Sequence, residues 1–253
     1  MVSLYTLVLD LQIQMQDYFS SQLGPHCSQV LLERGDYSDQ ECTSLAISKL
    51  LGICVVLGSS LVKLPQVITI LVAGSTEGLS SFSLYAELLA FIFTWGYSAY
   101  QEFPFTTWGE SMFLTLQNAI IILLGYTYAR DYLYLFLFPL CLVGSLSFLL
   151  SNQLPAQVYF YLQACVIPLA ILGKLKQIQK NYSNSSTGQL SLIMVALLLN
   201  GTIIRMFTTV KETSDMLTLF TYVISALLNL SLVLQIIYYR KSDKKDAESK
   251  KKT

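Results

Sequence analysis

What most constrains this chain is a succession of apolar stretches, each about one bilayer crossing long, separated by short polar turns. They run from about Leu45 to Val72, Phe82 to Tyr100, Gly109 to Tyr126, Tyr132 to Leu150, Val158 to Lys174, Leu190 to Thr208 and Met216 to Tyr239. A helix needs roughly 20 apolar residues to cross the hydrocarbon core, so seven crossings use about 140 residues and leave enough for loops and tails. Charged residues make up 13% of the 253 and hydrophobic ones 53%. Soluble domains carry about 25% charge, so this chain cannot clothe a water-soluble globule, and it is too apolar to be disordered. The expected fold class is an all-α membrane protein with seven transmembrane helices.

Sixteen basic residues balance sixteen acidic ones, so position carries the information. The first 44 residues hold six acids (Asp10, Asp17, Glu33, Asp36, Asp39 and Glu41) against Arg34. The last 14 hold seven bases, among them Arg240, Lys241, Lys244 and Lys245. A basic tail directly after an apolar run is expected on the cytoplasmic side. The loops after the third and fifth crossings, with Arg130 and with Lys176 and Lys180, then fall on that side too. The opposite loops hold Glu102, then Lys211, Glu212 and Asp215. An odd number of crossings puts residues 1–44 in the lumen and residues 240–253 in the cytoplasm. No basic stripe with interleaved aromatics accompanies the tail, so no nucleic-acid partner is expected. Lys250 and Lys251, three and two places before the terminal Thr253, resemble a dilysine retrieval signal, to be recognised by coat proteins.

Cys54, Cys141 and Cys165 lie in apolar runs, where cysteine acts as a small hydrophobe. Cys27 and Cys42 lie in the polar N-terminal region, and a disulfide between them is possible if that region is lumenal. His26 is the one histidine and no Cys-x-x-Cys occurs, so no metal site and no cofactor is expected.

The chain repeats itself. Ser75-Thr76-Glu77-Gly78-Leu79-Ser80 matches Ser186-Thr187-Gly188-Gln189-Leu190-Ser191 at four of six positions, 111 residues apart, and at the same spacing Asn118 falls on Asn229. Upstream, Pro65 corresponds to Pro168. Each half therefore reads as a crossing with a proline, a polar turn ending in Leu-Ser, a second crossing, and a third with a central Asn. The fourth crossing is left over as a linker. Three crossings per half is odd, so the linker restores the same orientation to both halves, giving a parallel 3+1+3 arrangement. The expected units are residues 45–127, the linker 128–156 and residues 157–239.

Several residues inside the apolar runs need an explanation. Pro65, with Gln66, and Pro168 each bend a helix; they are hinges for a rocking motion or static kinks. Asn118 and Asn229 place amides in mid-membrane, which is costly without partners. They face a shared pocket for a sugar or phosphate head group, or they bond neighbouring helices. Lys63 and Glu87 fall toward one side of the bilayer and Glu110 and Arg205 toward the other. Ionisable groups there are candidates for function; two ion pairs holding the bundle are the preferred reading, with Lys63 and Arg205 meeting a phosphate as the other. Trp95, Tyr97, Tyr100 and Trp108 read as an interfacial aromatic belt. Asn181-Tyr182-Ser183 and Asn184-Ser185-Ser186 fit the glycosylation pattern but fall on the cytoplasmic side, so they should be unmodified.

Lys63-Leu64-Pro65-Gln66-Val67, followed by Glu77-Gly78-Leu79-Ser80, resembles the PQ-loop repeat superfamily, which includes the SWEET sugar carriers and the lysosomal cystine carrier. The wider set Val62 to Val67, Glu87-Leu88, Phe103-Pro104-Phe105, Trp108-Gly109-Glu110, Thr187-Gly188-Gln189-Leu190-Ser191, Arg205 and Phe207-Thr208 resembles the mannose-P-dolichol utilization defect 1 family. The second half departs from the superfamily pattern, with Pro168-Leu169 in place of Pro-Gln. The resemblance implies an endoplasmic-reticulum membrane protein needed for the use of mannose-P-dolichol and glucose-P-dolichol in lipid-linked oligosaccharide and GPI-anchor synthesis. It implies dolichol-linked sugars as partners and a non-catalytic action: flipping, chaperoning or organising them. The alternative is a SWEET-like carrier of a small sugar or amino acid. A metal-dependent transferase would need clustered carboxylates near pyrophosphate, and the one candidate, Asp36 with Asp39, lies outside the apolar runs.

Overall fold

The computed structural model describes residues 20–76, 79, 81–183 and 192–250. Most of the two Leu-Ser turns and Lys251 of the tail lie outside the described residues. Eight α-helices follow one another: α1 Gln40–Ser59, α2 Leu64–Ala73, α3 Ser81–Tyr100, α4 Phe105–Ala129, α5 Tyr132–Leu150, α6 Ala156–Ser183, α7 Leu192–Glu212 and α8 Met216–Lys250. Residues 20–28 are also helical and run into a π-helical turn at Gln29–Glu33.

α1 starts inside the region assigned from sequence to the N-terminal segment, because Asp39 caps it. The Asp39 carboxylate accepts from the backbone N–H of Glu41 and of Cys42, both at 3.0 Å, which satisfies donors a helix start otherwise leaves open. The Cys27–Cys42 disulfide, S–S 2.03 Å, ties the preceding helical segment to this first turn. Leu23, Val30 and Leu31 close over it with Leu45 and Ala46.

The expected single first crossing is broken. α1 ends at Ser59, residues 60–63 turn, and α2 resumes with Pro65 in its first turn. Proline is tolerated there because a first-turn N–H needs no helical partner. Pro168 behaves differently: α6 runs through it as one helix of 28 residues.

Five segments are long and apolar enough to cross a membrane among the described residues: Gln40–Ala73, Phe105–Ala129, Tyr132–Leu150, Ala156–Ser183 and Met216–Tyr239. Seven were expected. α3 falls short because it carries Glu87 among Ser, Thr and Tyr residues; α7 carries Arg205 as the one charge between Leu192 and Thr209, an otherwise apolar stretch of 18 residues. Both are helices of membrane-crossing length, 20 and 21 residues.

Packing closes six helices into a ring. α1 touches α4 and α7, α4 touches α3, α3 touches α6, α6 touches α8, and α8 touches α7. In each half the third helix, α4 or α8, packs on the other two. Across the halves, α1 packs on α7 and α6 on α3, so the first helix of each half meets the second of the other. α5 lies outside the ring against α3 and α4, exposing Leu133, Phe136, Leu140 and Val143. The largest apolar cluster, around Leu88, Ile92, Tyr97, Ile122, Leu149 and Tyr159, fills the α3–α4–α5–α6 contact.

A candidate site of buried polar groups at two ends of a helical bundle

Two constellations of polar side chains occupy the bundle. The first lies where α1, α4 and α8 begin and α7 ends. Lys49 Nζ lies 2.8 Å from Glu212 Oε2, with side chains 5% and 0% exposed. Glu212 also accepts from Ser48 Oγ at 2.7 Å and Thr106 Oγ1 at 2.8 Å. Arg205 donates through Nη1 to the Thr106 carbonyl at 2.7 Å and through Nη2 to Glu110. Tyr222 lies beside the same Glu110 carboxylate. Thr106 is thus the node at which two buried ion pairs meet. Its backbone can serve because Gly52 lets α1 approach: a Cβ on Gly52 would stand 2.7 Å from the Thr106 carbonyl oxygen. Beside this network Tyr97 Oη donates to Asp215 Oδ1 at 2.8 Å, and Asp215 Oδ2 caps α8 through the Thr218 N–H at 2.7 Å.

A buried charge that loses its partner costs several kcal/mol, roughly 3–5. Here every charge has one, and each pair joins the first half of the chain (Lys49, Thr106, Glu110) to the second (Arg205, Glu212, Tyr222). This end of the bundle is held shut by bonds between halves.

The second constellation surrounds the break between α1 and α2. Lys63 Nζ lies 2.5 Å from Glu87 Oε2 and 2.7 Å from Asn118 Oδ1. Asn118 Nδ2 donates to the Leu84 carbonyl at 2.7 Å. The neighbouring Gln117 bridges the break itself: it accepts from the Lys63 backbone N–H at 2.8 Å and donates to the Ser59 carbonyl at 2.9 Å. The backbone groups freed by the break are therefore satisfied inside the protein, as they must be in lipid. Every partner here belongs to the first half.

The residues singled out from sequence fall as follows. Lys63 pairs with Glu87 and Glu110 with Arg205, at separate depths. Asn118 and Asn229 do not bond to each other, and the backbones of α4 and α8 stay apart. Asn118 is spent on Lys63 and Leu84, whereas Asn229, 1% exposed, has no partner for either amide atom. Pro65 and the half-buried Gln66 lie in the first turn of α2, and Pro168 is exposed on an unbroken helix. Lys250 is the last residue of α8. Asn181 of the first glycosylation pattern is 2% exposed; Gln177 donates to it and it donates to Gln235, at 2.9 and 3.0 Å. Asn184 of the second lies outside the described residues.

Of the participants that sequence reasoning missed, four are instructive. Lys49 is an ionisable residue inside an apolar run, a signal as strong as Lys63 gave. Glu212 was counted among loop charges, but α7 continues one turn past Thr208 and buries it. Gln117 and Thr106 carried no signal, since neither is ionisable and Gln117 has Leu228 at the repeat-equivalent position. The donor atoms of His26, Asp39 and Cys42 lie within 4.8 Å of one another. That is no metal centre in this state, because the Cys42 sulfur is bonded to Cys27 and a thiolate is the ligand metals need.

Comparison with known proteins finds the same internal repeat that the sequence shows. The PQ loop repeat family matches twice, at residues 47–107 and 158–218, the two segments being displaced by 111 residues. Human "Solute carrier family 66 member 3" is 28% identical over 192 residues, covering 76% of this chain and 91% of that protein. The helical chain described above thus carries two PQ-loop repeats, one in each half.

Proposed function

We propose that this protein handles polyprenyl-phosphate-linked hexoses, mannose-P-dolichol and glucose-P-dolichol, in the endoplasmic-reticulum membrane, without catalysing a reaction on them. It flips, chaperones or presents these donors for lipid-linked oligosaccharide and GPI-anchor synthesis. The observation that carries this reading is where the resembling motifs fall. Phe103-Pro104-Phe105 and Trp108-Gly109-Glu110 begin α4, Trp108 Nε1 donates to the Phe103 carbonyl at 2.9 Å, and Glu110 receives Arg205. The segment Val62 to Val67 with Glu87 forms the other constellation. The motifs that resemble the dolichol-utilization family thus include four charged groups of the polar interior, Lys63, Glu87, Glu110 and Arg205, which supports a bearing on mechanism and not on packing alone.

In this reading Gln40–Ala73 counts as one crossing, and α3 and α7 cross beside the five long apolar segments. That gives seven crossings in a 3+1+3 order with α5 as linker; the reciprocal α1–α7 and α6–α3 contacts support it. The N-terminus is lumenal and the basic tail cytoplasmic, with Lys250 and Lys251 as retrieval signal for a coat protein. The inter-half ion pairs then close the lumenal end. Pro65 lies beside a helix break already satisfied by Gln117, which suits a hinge. Asn229 supplies the free amide for a ligand's polar head.

A second reading is favoured by the human relative, whose name describes a solute carrier: a SWEET-like carrier of a small sugar or amino acid. Complementation separates the two. Cells lacking the dolichol-utilization family member accumulate truncated lipid-linked oligosaccharide under the first reading, and this chain restores the full-length glycan. Failure to restore it, with flux of free sugar in proteoliposomes, selects the second reading.

A further inference from the structure

At the end of the bundle that holds the inter-half ion pairs, the seam between α3 and α6 opens into a cleft of about 290 Å³. This is near the lower bound for small-molecule sites, roughly 300 Å³. Tyr97, Tyr100 and Gln101 of the α3 end form one wall, and Gln157, Phe160 and Tyr161 of the first turns of α6 form the other. Ala156 leaves the space between them unfilled. From these walls, we infer that this cleft is a binding site for a hexose ring.

The lining is neutral, with no Lys, Arg, Asp or Glu, so it suits a polyol and not an ion. The exposed Phe160 and Tyr161 and the half-buried Tyr100 offer apolar ring surface to the C–H side of a pyranose, above the buried Tyr97. Its two amides each offer donors and an acceptor to sugar hydroxyls. Two of the rings are fixed before any ligand arrives, which lowers the ordering cost of binding. Tyr97 is held by its bond to Asp215, and Tyr100 stacks on the fully buried Tyr159 at 4.2 Å between centroids and 11° between planes. An interfacial belt would place aromatics singly around the bundle; here they converge on one hollow with both glutamines. Gln101 and Gln157 are exposed, as are Phe160 and Tyr161, at 50% and 64%. The cleft therefore opens sideways between the halves. A hexose carried on an isoprenyl phosphate can enter from the bilayer with its chain left in lipid, and a free hexose can enter from water. Only the first source rests on the function proposed above.

The test uses the full chain in nanodiscs. Binding is measured for methyl mannoside, methyl glucoside and a short-chain isoprenyl phosphomannose, with Gln101→Ala plus Gln157→Ala as the variant. Both positions are exposed, and an unchanged melting temperature verifies folding; Tyr161→Ala serves as a second, independent variant. The expected result is binding of a hexose ligand that either variant weakens by at least about tenfold. Weakening seen only with the isoprenyl conjugate assigns the lipid-linked source; weakening with the free glycosides assigns the water-borne one. Equal affinity in wild type and variants overturns the cleft while leaving the proposed function standing. No binding of any of the three ligands to the wild type overturns the cleft as well.

Discussion

In the first half of the chain Asn118 is fully buried and spends both ends of its amide, on Lys63 and on the Leu84 carbonyl. In the second half its repeat partner Asn229 is equally buried and spends neither. The contrast extends beyond one pair. Among the described residues the buried side-chain atoms without a hydrogen-bond partner are Gln163 Oε1, Arg205 Nε, Thr218 Oγ1 and both amide atoms of Asn229. All lie on α6, α7 and α8. A buried polar group left unpaired costs about 1–3 kcal/mol, and one that persists calls for a specific explanation such as a water or a ligand. Two copies of one repeat have thus diverged in physical role. The first has become a self-satisfied scaffold around a broken helix, and the second keeps free polar capacity.

The two prolines show the same division. Pro65 sits at a break that Gln117 closes with two hydrogen bonds. Pro168 sits in a continuous helix, with Val166 and Leu198 where the first half has Lys63 and Glu87. In the second half neither a cation nor a carboxylate bonds the Asn229 amide.

Substitutions can break this comparison. The largest effect is expected where the halves are joined: Glu212→Ala leaves Lys49 buried without a counter-charge and should cost about 3–5 kcal/mol, read as a large drop in the melting temperature in detergent. Arg205→Lys retains the charge but cannot reach both Glu110 and the Thr106 carbonyl, so one charge-assisted hydrogen bond is lost, worth about 1.5–3 kcal/mol. Gln117→Leu removes both closures of the α1–α2 break and should cost about 1–3 kcal/mol, with faster amide hydrogen exchange over residues 59–63. The smallest effect is expected at Asn229→Leu, which replaces an unpaired buried amide with a side chain of similar volume and should leave stability within about 1 kcal/mol of wild type or raise it. A large loss there would mean that Asn229 has a structural partner, and the two halves would be alike.

Much of the fold was legible because the bilayer imposes a simple length rule. The α3 and α5 bounds agree with the apolar runs to within a residue, and the repeat appeared as proline, turn and asparagine matching in the same order. The broken first helix was not legible: a proline in an apolar run signals a bend, and a complete break depends on Gln117, which is distant in sequence. The pairing of Glu110 with Arg205 followed from their shared depth, since few other charges were within reach. Glu212 escaped because a helix can extend into an apparent loop when a buried lysine awaits its last side chain. The free state of Asn229 could not be read at all, because the repeat makes the two asparagines look equivalent until their neighbours are known.

The most direct test of this division is to compare Asn118→Leu with Asn229→Leu in one experiment, measuring melting temperature and restoration of full-length lipid-linked oligosaccharide in cells lacking the family member. The account predicts that Asn118→Leu lowers the melting temperature, and that Asn229→Leu melts like wild type yet fails to restore the glycan. Full restoration by Asn229→Leu, or an equal loss of stability in both variants, would contradict it.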